Sequence, residues 1–82
     1  MPDENAIRQA AREVVHSMAN TRVDDGEALI SSGLIDSLSI LKLIARLEQK
    51  LGLRIPTGNL QPDDFETVDY IVDTVLRVAP LK

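Results

Sequence analysis

The sequence contains no cysteine, no tryptophan, one histidine (His16) and only two aromatic residues, Phe65 and Tyr70. Without cysteine there is no disulfide, no thiolate metal site and no thiol nucleophile belonging to the chain itself. A single histidine excludes paired-histidine metal sites, and no segment has the Asp/Asn/Gly spacing of a calcium loop. Two aromatics make a poor platform for stacking bases. An excess of positive charge is also missing: nine Lys and Arg stand against thirteen Asp and Glu, a formal net charge of −4. A nucleic-acid binder needs a basic footprint to displace counterions, so nucleic acid is not an expected partner. Apolar runs such as Leu34-Ile35 and Ile71-Val72 are far below the ~20 residues that span a bilayer. Met1-Pro2-Asp3-Glu4 is acidic and polar, so no signal peptide is expected and the cytoplasm is the default compartment.

What is present is helical periodicity. At 82 residues the chain is one domain, 1–82, with a thin core: such a domain buries only about 60–65% of the surface its unfolded chain exposes. From about Asp3 to Met18, the residues Ile7, Ala10, Ala11, Val14, Val15 and Met18 repeat at helical spacing along one stripe. Arg8, Arg12, Glu13 and Ser17 fall largely on the other side, and Asp3 is placed to cap the start. A second helix is predicted from about Ser37 to Leu51, with Ile40, Leu41, Leu43, Ile44, Leu47 and Leu51 as a broad apolar face. Asp36 can cap it and Gly52 can end it. A third is predicted over 68–78, with Val68, Ile71, Val72, Val75, Leu76 and Ala79 as its stripe, Thr67 as its cap and Pro80 as its stop.

Two connections remain. The stretch from Asn20 to Ile35 is long for so small a domain, so part of it must pack. Leu29, Ile30, Leu34 and Ile35 can do so, and Gly26 and Gly33 allow the turns. In the second, Leu53 and Ile55 alternate with Arg54 in an extended segment before Pro56. Gln61-Pro62-Asp63-Asp64-Phe65 then reads as one short helical turn, with Pro62 at its first position and Phe65 pointing inward. The predicted fold is all-α: a small four-helix bundle of three main helices plus one short helix.

Asp36-Ser37-Leu38 stands where the long loop meets the broad helix. Alone, the triplet is what any capped helix start looks like. It stands in a longer pattern, however. Gly33, Leu34, Asp36, Ser37 and Leu38 match a Gly-Leu/Val-x-Asp-Ser-Leu/Met motif that opens the second helix. The match continues through Leu43, Leu47, Glu48, Leu51 and Ile55-Pro56, then Leu60, Pro62, Asp63, Asp64, Phe65, Thr67, Val68 and Ile71. On these anchors the chain, from about Ile7 to Leu76, resembles the acyl carrier protein family, including its peptidyl and D-alanyl carrier relatives.

The resemblance implies a 4′-phosphopantetheine arm attached covalently to Ser37 by a phosphopantetheinyl transferase. It implies that Asp36 supports the transferase's metal and that the arm's thiol holds cargo as a thioester. The physical setting suits this. A helix N-terminus favours phosphate, a hydroxyl is the group on which a phosphodiester forms, and the tether raises the cargo's effective concentration for partner enzymes. Catalysis by the chain itself is not expected. Ser37 as a nucleophile would need a base and an orienting acid, and neither a Gly-x-Ser-x-Gly elbow nor a Gly-rich phosphate loop is present. His16 reads as a rim residue, and Phe65 and Tyr70 as core or core-edge residues. The broad face of the second helix reads first as core. A second reading has part of it, with Phe65 and Ile55, lining a cleft for lipid-like cargo.

One departure bears on partners. Carriers of fatty-acid synthesis typically have an acidic second helix. Here Lys42, Arg46, Lys50 and Arg54 face a single acid, Glu48, between 42 and 54. The acids lie at Asp24, Asp25, Glu27 and from Asp63 to Asp73. The plain reading is a solvated helix face balanced by i, i+4 pairs; the functional reading makes Leu38, Lys42 and Arg46 a partner-binding face. The expectation is a free-standing, monomeric acyl or aminoacyl carrier in a specialised pathway. That pathway is polyketide or nonribosomal peptide assembly, or aminoacyl loading by a ligase or acyltransferase. The D-alanyl carrier of cell-envelope modification, similar in lacking the acidic helix, is the alternative. So is a carrier-like interaction module without the arm. Asp rather than His before Ser37 leans toward acyl-type and stand-alone carriers.

Overall fold

Asp3 accepts the Ala6 amide hydrogen at 2.8 Å and so starts helix α1, Glu4–Ala19. In the computed structural model, which describes residues 3–78, every regular element is helical. The stripe read from the sequence is the buried one: Ile7, Ala10, Ala11, Val14 and Val15 face the core, and Met18 is half-buried against it. The helix ends on Asn20, in the left-handed conformation at φ 57°, with its amide on the His16 carbonyl. Asn tolerates this conformation better than other residues with a Cβ. An Asn just past the last apolar repeat is thus the stop signal of α1.

The second helix is not uniform. Ser37–Ser39 form a 3₁₀ turn, and only Ile40–Leu51 are α-helix, α2. The cause is local: the Asp36 carboxylate accepts the Leu38 amide and the Asp36 carbonyl accepts the Ser39 amide at 2.8 Å. Bonds spanning two and three residues wind the first turn tighter than an α-helix. Gly52 closes α2 at φ 67°, donating to the Glu48 carbonyl at 2.8 Å, a conformation that a side chain would strain. Helix α3 occupies Val68–Val78, as predicted, and Thr67 Oγ1 accepts the Tyr70 amide as its cap. Ala79 and Pro80 lie outside the described residues.

The short fourth helix is a 3₁₀ turn, Pro62–Phe65. It delivers Phe65 into the core and is pinned to α3, because the buried Thr74 hydroxyl donates to the Asp64 carbonyl at 2.9 Å. Helix α1 packs on both α2 and α3. The long connection contributes Val23, Leu29 and Ile35 to the core, with Ile30 and Leu34 half-buried. Each large side chain so buried contributes about 1.5–3 kcal/mol. Gly33, at φ 84°, makes the turn in this connection that needs glycine; Gly26 has no such conformation.

Three apolar residues lie elsewhere than expected. Leu41 and Leu76, assigned to buried stripes, are exposed, and so is Tyr70. Leu41 and Leu76 each stand about a quarter-turn from the centre of their stripe at 3.6 residues per turn. Tyr70 stands on the outer side of α3 beside Asp69 and Asp73, out of phase with Val68, Ile71, Val72 and Val75.

Candidate functional site

The loop before Ser37 is held on several sides. Ile35 donates to the Leu29 carbonyl at 2.9 Å, Gly33 to the Ile30 carbonyl at 3.0 Å, and Leu29 to the Glu66 carbonyl at 2.7 Å. The Ser31 amide and hydroxyl both donate to the Glu66 carboxylate. The hydroxyl's bond is the main cause that holds the Glu66 carboxyl below its ordinary range, against a smaller opposing effect of burial. Farther back, Asp25 accepts from Arg12 at 2.7 and 2.9 Å and from Arg8 at 2.9 Å, and Arg8 also grips Asp69 at 2.6 Å. The Arg12 guanidinium, then Arg8, pulls the Asp25 carboxyl down to about 2, although burial opposes this. Arg8 and Arg12, on the side of α1 away from its apolar stripe, thus tie α1 to the loop and, through Arg8, to α3.

This frame sets Ser37 at the first position of the 3₁₀ turn, exposed, between exposed Asp36 and Leu38. Among the described residues its hydroxyl has no hydrogen-bond partner, and one Asp36 oxygen caps Leu38 while the other is free. A hydroxyl in that setting is open to an enzyme from solvent. The dipole contribution expected from a helix N-terminus is modest, because α2 proper begins at Ile40 and Asp36 already sets a carboxylate there. The residues present fit a solvent-facing phosphopantetheine group, since Ser37 is exposed and no described residue makes a hydrogen bond to its hydroxyl.

Beside Ser37 runs an open groove of about 180 Å³, lined by Ile40, Leu41, Ile44, Leu60, Pro62 and Phe65 with Thr57 and Gln61 at its edge. Phe65 belongs to this wall as expected. Ile55 does not: it is buried behind the wall, its amide donating to the Glu48 carboxylate at 2.8 Å. Lys42 and Arg46 are exposed on α2 and, among the described residues, have no carboxylate within ion-pair distance. Lys50, part of the same basic run, is paired, but with Glu13 of α1 at 2.8 Å rather than within its helix. His16 sits half-buried with Nε2 at 3.0 Å from the Val23 carbonyl oxygen, and no hydrogen bond joins it to Ser37. Among the described residues no group of three or more His, Cys, Asp or Glu could hold a metal ion, and no helix is long and apolar enough to cross a membrane.

Known proteins share this pattern. A family model for the phosphopantetheine attachment site matches residues 5–75. A D-alanyl carrier protein of Streptococcus sanguinis is 30% identical over 74 residues, covering 88% of this chain and 94% of that protein. D-alanyl carrier proteins of Streptococcus gordonii and Streptococcus thermophilus are 31% identical with the same coverage. The helical fold, the loop-held Asp36-Ser37-Leu38 turn and these matches agree, and the chain belongs to the phosphopantetheine-attachment family of carrier proteins, which bear 4′-phosphopantetheine on a serine.

Proposed function

We propose that Ser37 is the serine that bears the arm and that the cargo is a small aminoacyl or short acyl group. The observation that carries the assignment is the exposed, unpartnered Ser37 hydroxyl on a turn fixed by Asp36, inside the matched segment. When bound, the arm supplies a thiol that holds the cargo as a thioester. The chain's own part is to present the Ser37 oxygen and to leave the Asp36 carboxylate free for the transferase's metal. Its bundle then keeps the attachment point rigid while partners approach.

Two observations favour small cargo. The groove beside Ser37 is about 180 Å³, below the ~300–1,000 Å³ of sites that enclose a drug-sized ligand. The related proteins named above are D-alanyl carriers, which supports aminoacyl loading by an adenylate-forming ligase in the cytoplasm. Neither the groove nor these relatives favour polyketide or peptide assembly. The plainest test is an intact mass after incubating the apo-protein with coenzyme A, magnesium and a broad-specificity transferase. One pantetheine adduct is expected, absent in Ser37→Ala; an adduct that survives that change overturns the assignment. D-alanine, ATP and a D-alanine-adenylating ligase should then add one alanyl group to the holo-protein. Loading with long fatty acyl groups in preference to alanine would overturn the cargo reading.

A further inference from the structure

Leu29 and Ile35 are buried, but Ser31, Ser32 and Gly33 between them are exposed, so the chain leaves the core and returns to it two residues before Ser37. One hydrogen bond, from the Ile35 amide to the Leu29 carbonyl at 2.9 Å, joins the two ends of this excursion. Its other internal bonds are local. The Ser32 hydroxyl donates to the Ala28 carbonyl at 2.6 Å and accepts the Leu34 amide at 3.3 Å, and Gly33 donates to the Ile30 carbonyl. Among the described residues, Glu66 is the one residue outside the loop that hydrogen-bonds to 29–35. It accepts the Leu29 amide on its carbonyl at 2.7 Å, the Ser31 amide on one carboxylate oxygen at 3.2 Å and the Ser31 hydroxyl on the other. Both carboxylate oxygens are therefore directed to a residue 35 positions away, and not to the start of α3, which Thr67 caps instead. Glu66 is itself fixed. It follows buried Phe65, its amide donates to the Asp63 carbonyl at 3.3 Å, and Val68 beyond it is buried.

We infer that Glu66 and Ser31 are positioning residues for the modification of Ser37. Their clamp fixes the excursion and, through the bond between Ile35 and Leu29, holds the backbone entering Asp36-Ser37-Leu38 in the geometry that the transferase engages. The inference rests on the carrier reading above and adds two residues that hydrogen-bond to neither Ser37 nor Asp36. In the transfer, the Ser37 oxygen forms a bond to the pantetheine-bearing phosphorus of coenzyme A. The bond from that phosphorus to the adenosine bisphosphate breaks, the electron pair leaves with that group, and the hydroxyl proton passes to a base outside the chain. Such a step needs the oxygen in line with the breaking bond, so the transferase turns over only chains whose turn holds that geometry. The Ser37 hydroxyl has no hydrogen bond of its own among the described residues, so its place depends on the backbone behind it. A carboxylate that accepts an amide and a hydroxyl makes two charge-assisted bonds, stronger than the neutral bond to Leu29 alone. Loosening the clamp lowers the fraction of chains in the engaged geometry. KM for the carrier then rises by the inverse of that fraction, while kcat, set by chains already captured, is kept.

The test measures phosphopantetheinyl transfer to the full apo-chain over a range of carrier concentrations, with coenzyme A, magnesium and a broad-specificity transferase. Ser31→Ala and Glu66→Ala should each raise KM for the carrier about three- to tenfold, with kcat kept within about twofold. Ser31→Thr, which keeps the hydroxyl, should restore the wild-type KM. Ser31→Ala combined with Glu66→Ala should be no worse than Glu66→Ala alone, because the two residues act as one unit. Asp73→Asn removes a neighbouring exposed charge that does not bond to the loop, and it should leave KM unchanged. Amide hydrogen exchange of the apo-chain reads the clamp without the transferase: residues 30–35 should exchange faster in Ser31→Ala, with α1 and α3 unaltered. An unchanged KM in both alanine variants, effects that add in the double variant, or an equal rise of KM in Asp73→Asn would overturn the inference. Exchange that quickens throughout the bundle would assign the clamp to stability alone and overturn it as well. Failure of the wild-type chain to gain any adduct would instead count against the carrier reading, so the two failures are separable.

Discussion

The side of the molecule where α1 meets the long connection and α3 contrasts with the outer face of α2. On the first, Arg8, Arg12, Asp25 and Asp69 are locked together, and the Glu66 carboxylate holds Ser31. On the second, two leucines and two cations stand in solvent without partners beside Ser37. The two faces use similar residue types for opposite ends. Charges satisfied inside the chain hold the loop that carries Ser37; charges left unsatisfied are available to another molecule. A small domain has few ionic groups to divide between these tasks; Arg22 and Arg54, exposed and unpaired among the described residues, belong to neither face.

The comparison can be broken most forcefully through the core both faces share. Phe65→Ala should cost about 3–5 kcal/mol, enough to leave much of so small a domain unfolded, as urea denaturation followed by circular dichroism would show. Next comes the locked side. Asp25→Asn removes the negative charge that Arg12 and Arg8 share and one of the two oxygens that accept from them, and a loss of about 1–2 kcal/mol is expected for partly exposed charged bonds.

The same residue makes a pH prediction. The Asp25 carboxyl is depressed from its ordinary 3.8 to about 2 in the folded chain. Its contribution is therefore full above pH ~4 and is lost as pH falls through about 2. Melting temperatures between pH 5 and 2 should decline less steeply in Asp25→Asn than in the wild type; parallel declines would mean that the cluster does not matter to folding. Glu66→Gln should act locally, speeding hydrogen exchange of the Ser31 amide while leaving global stability nearly unchanged. At the small end lies the outer face of α2. Lys42→Glu with Arg46→Glu should move unfolding free energy by no more than about 0.5 kcal/mol, because neither side chain has an ion pair among the described residues. A large destabilisation there would erase the distinction between the two faces.

Much of this was legible in the residues. The stripes Ile7 to Val15 and Val68 to Val75, the caps Asp3 and Thr67, the stop at Gly52 and the turn carrying Phe65 are all local patterns, and the structure has them. Exposure was read less well where a residue stands at the margin of a stripe. Leu41 looked like core because leucine usually is, and only the placement of neighbouring elements shows that nothing covers it. Tyr70 was misjudged by residue type, although its phase along α3 pointed outward. The pairing of Arg8 and Arg12 with Asp25 has no local pattern to announce it, because Asp25 lies 17 and 13 positions away.

The sequence by itself determined the three helices, the caps at Asp3 and Thr67, the stop at Gly52 and the place of Asp36-Ser37-Leu38 at the start of the second helix. Each depends on spacing within a few turns of chain, where hydrophobic period and capping chemistry act directly. Only the tertiary structure decided which charges are already paired, which leucines have no cover, and how small the groove beside Ser37 is. Those properties depend on distances between residues far apart in the chain, and such distances exist only once the helices have packed.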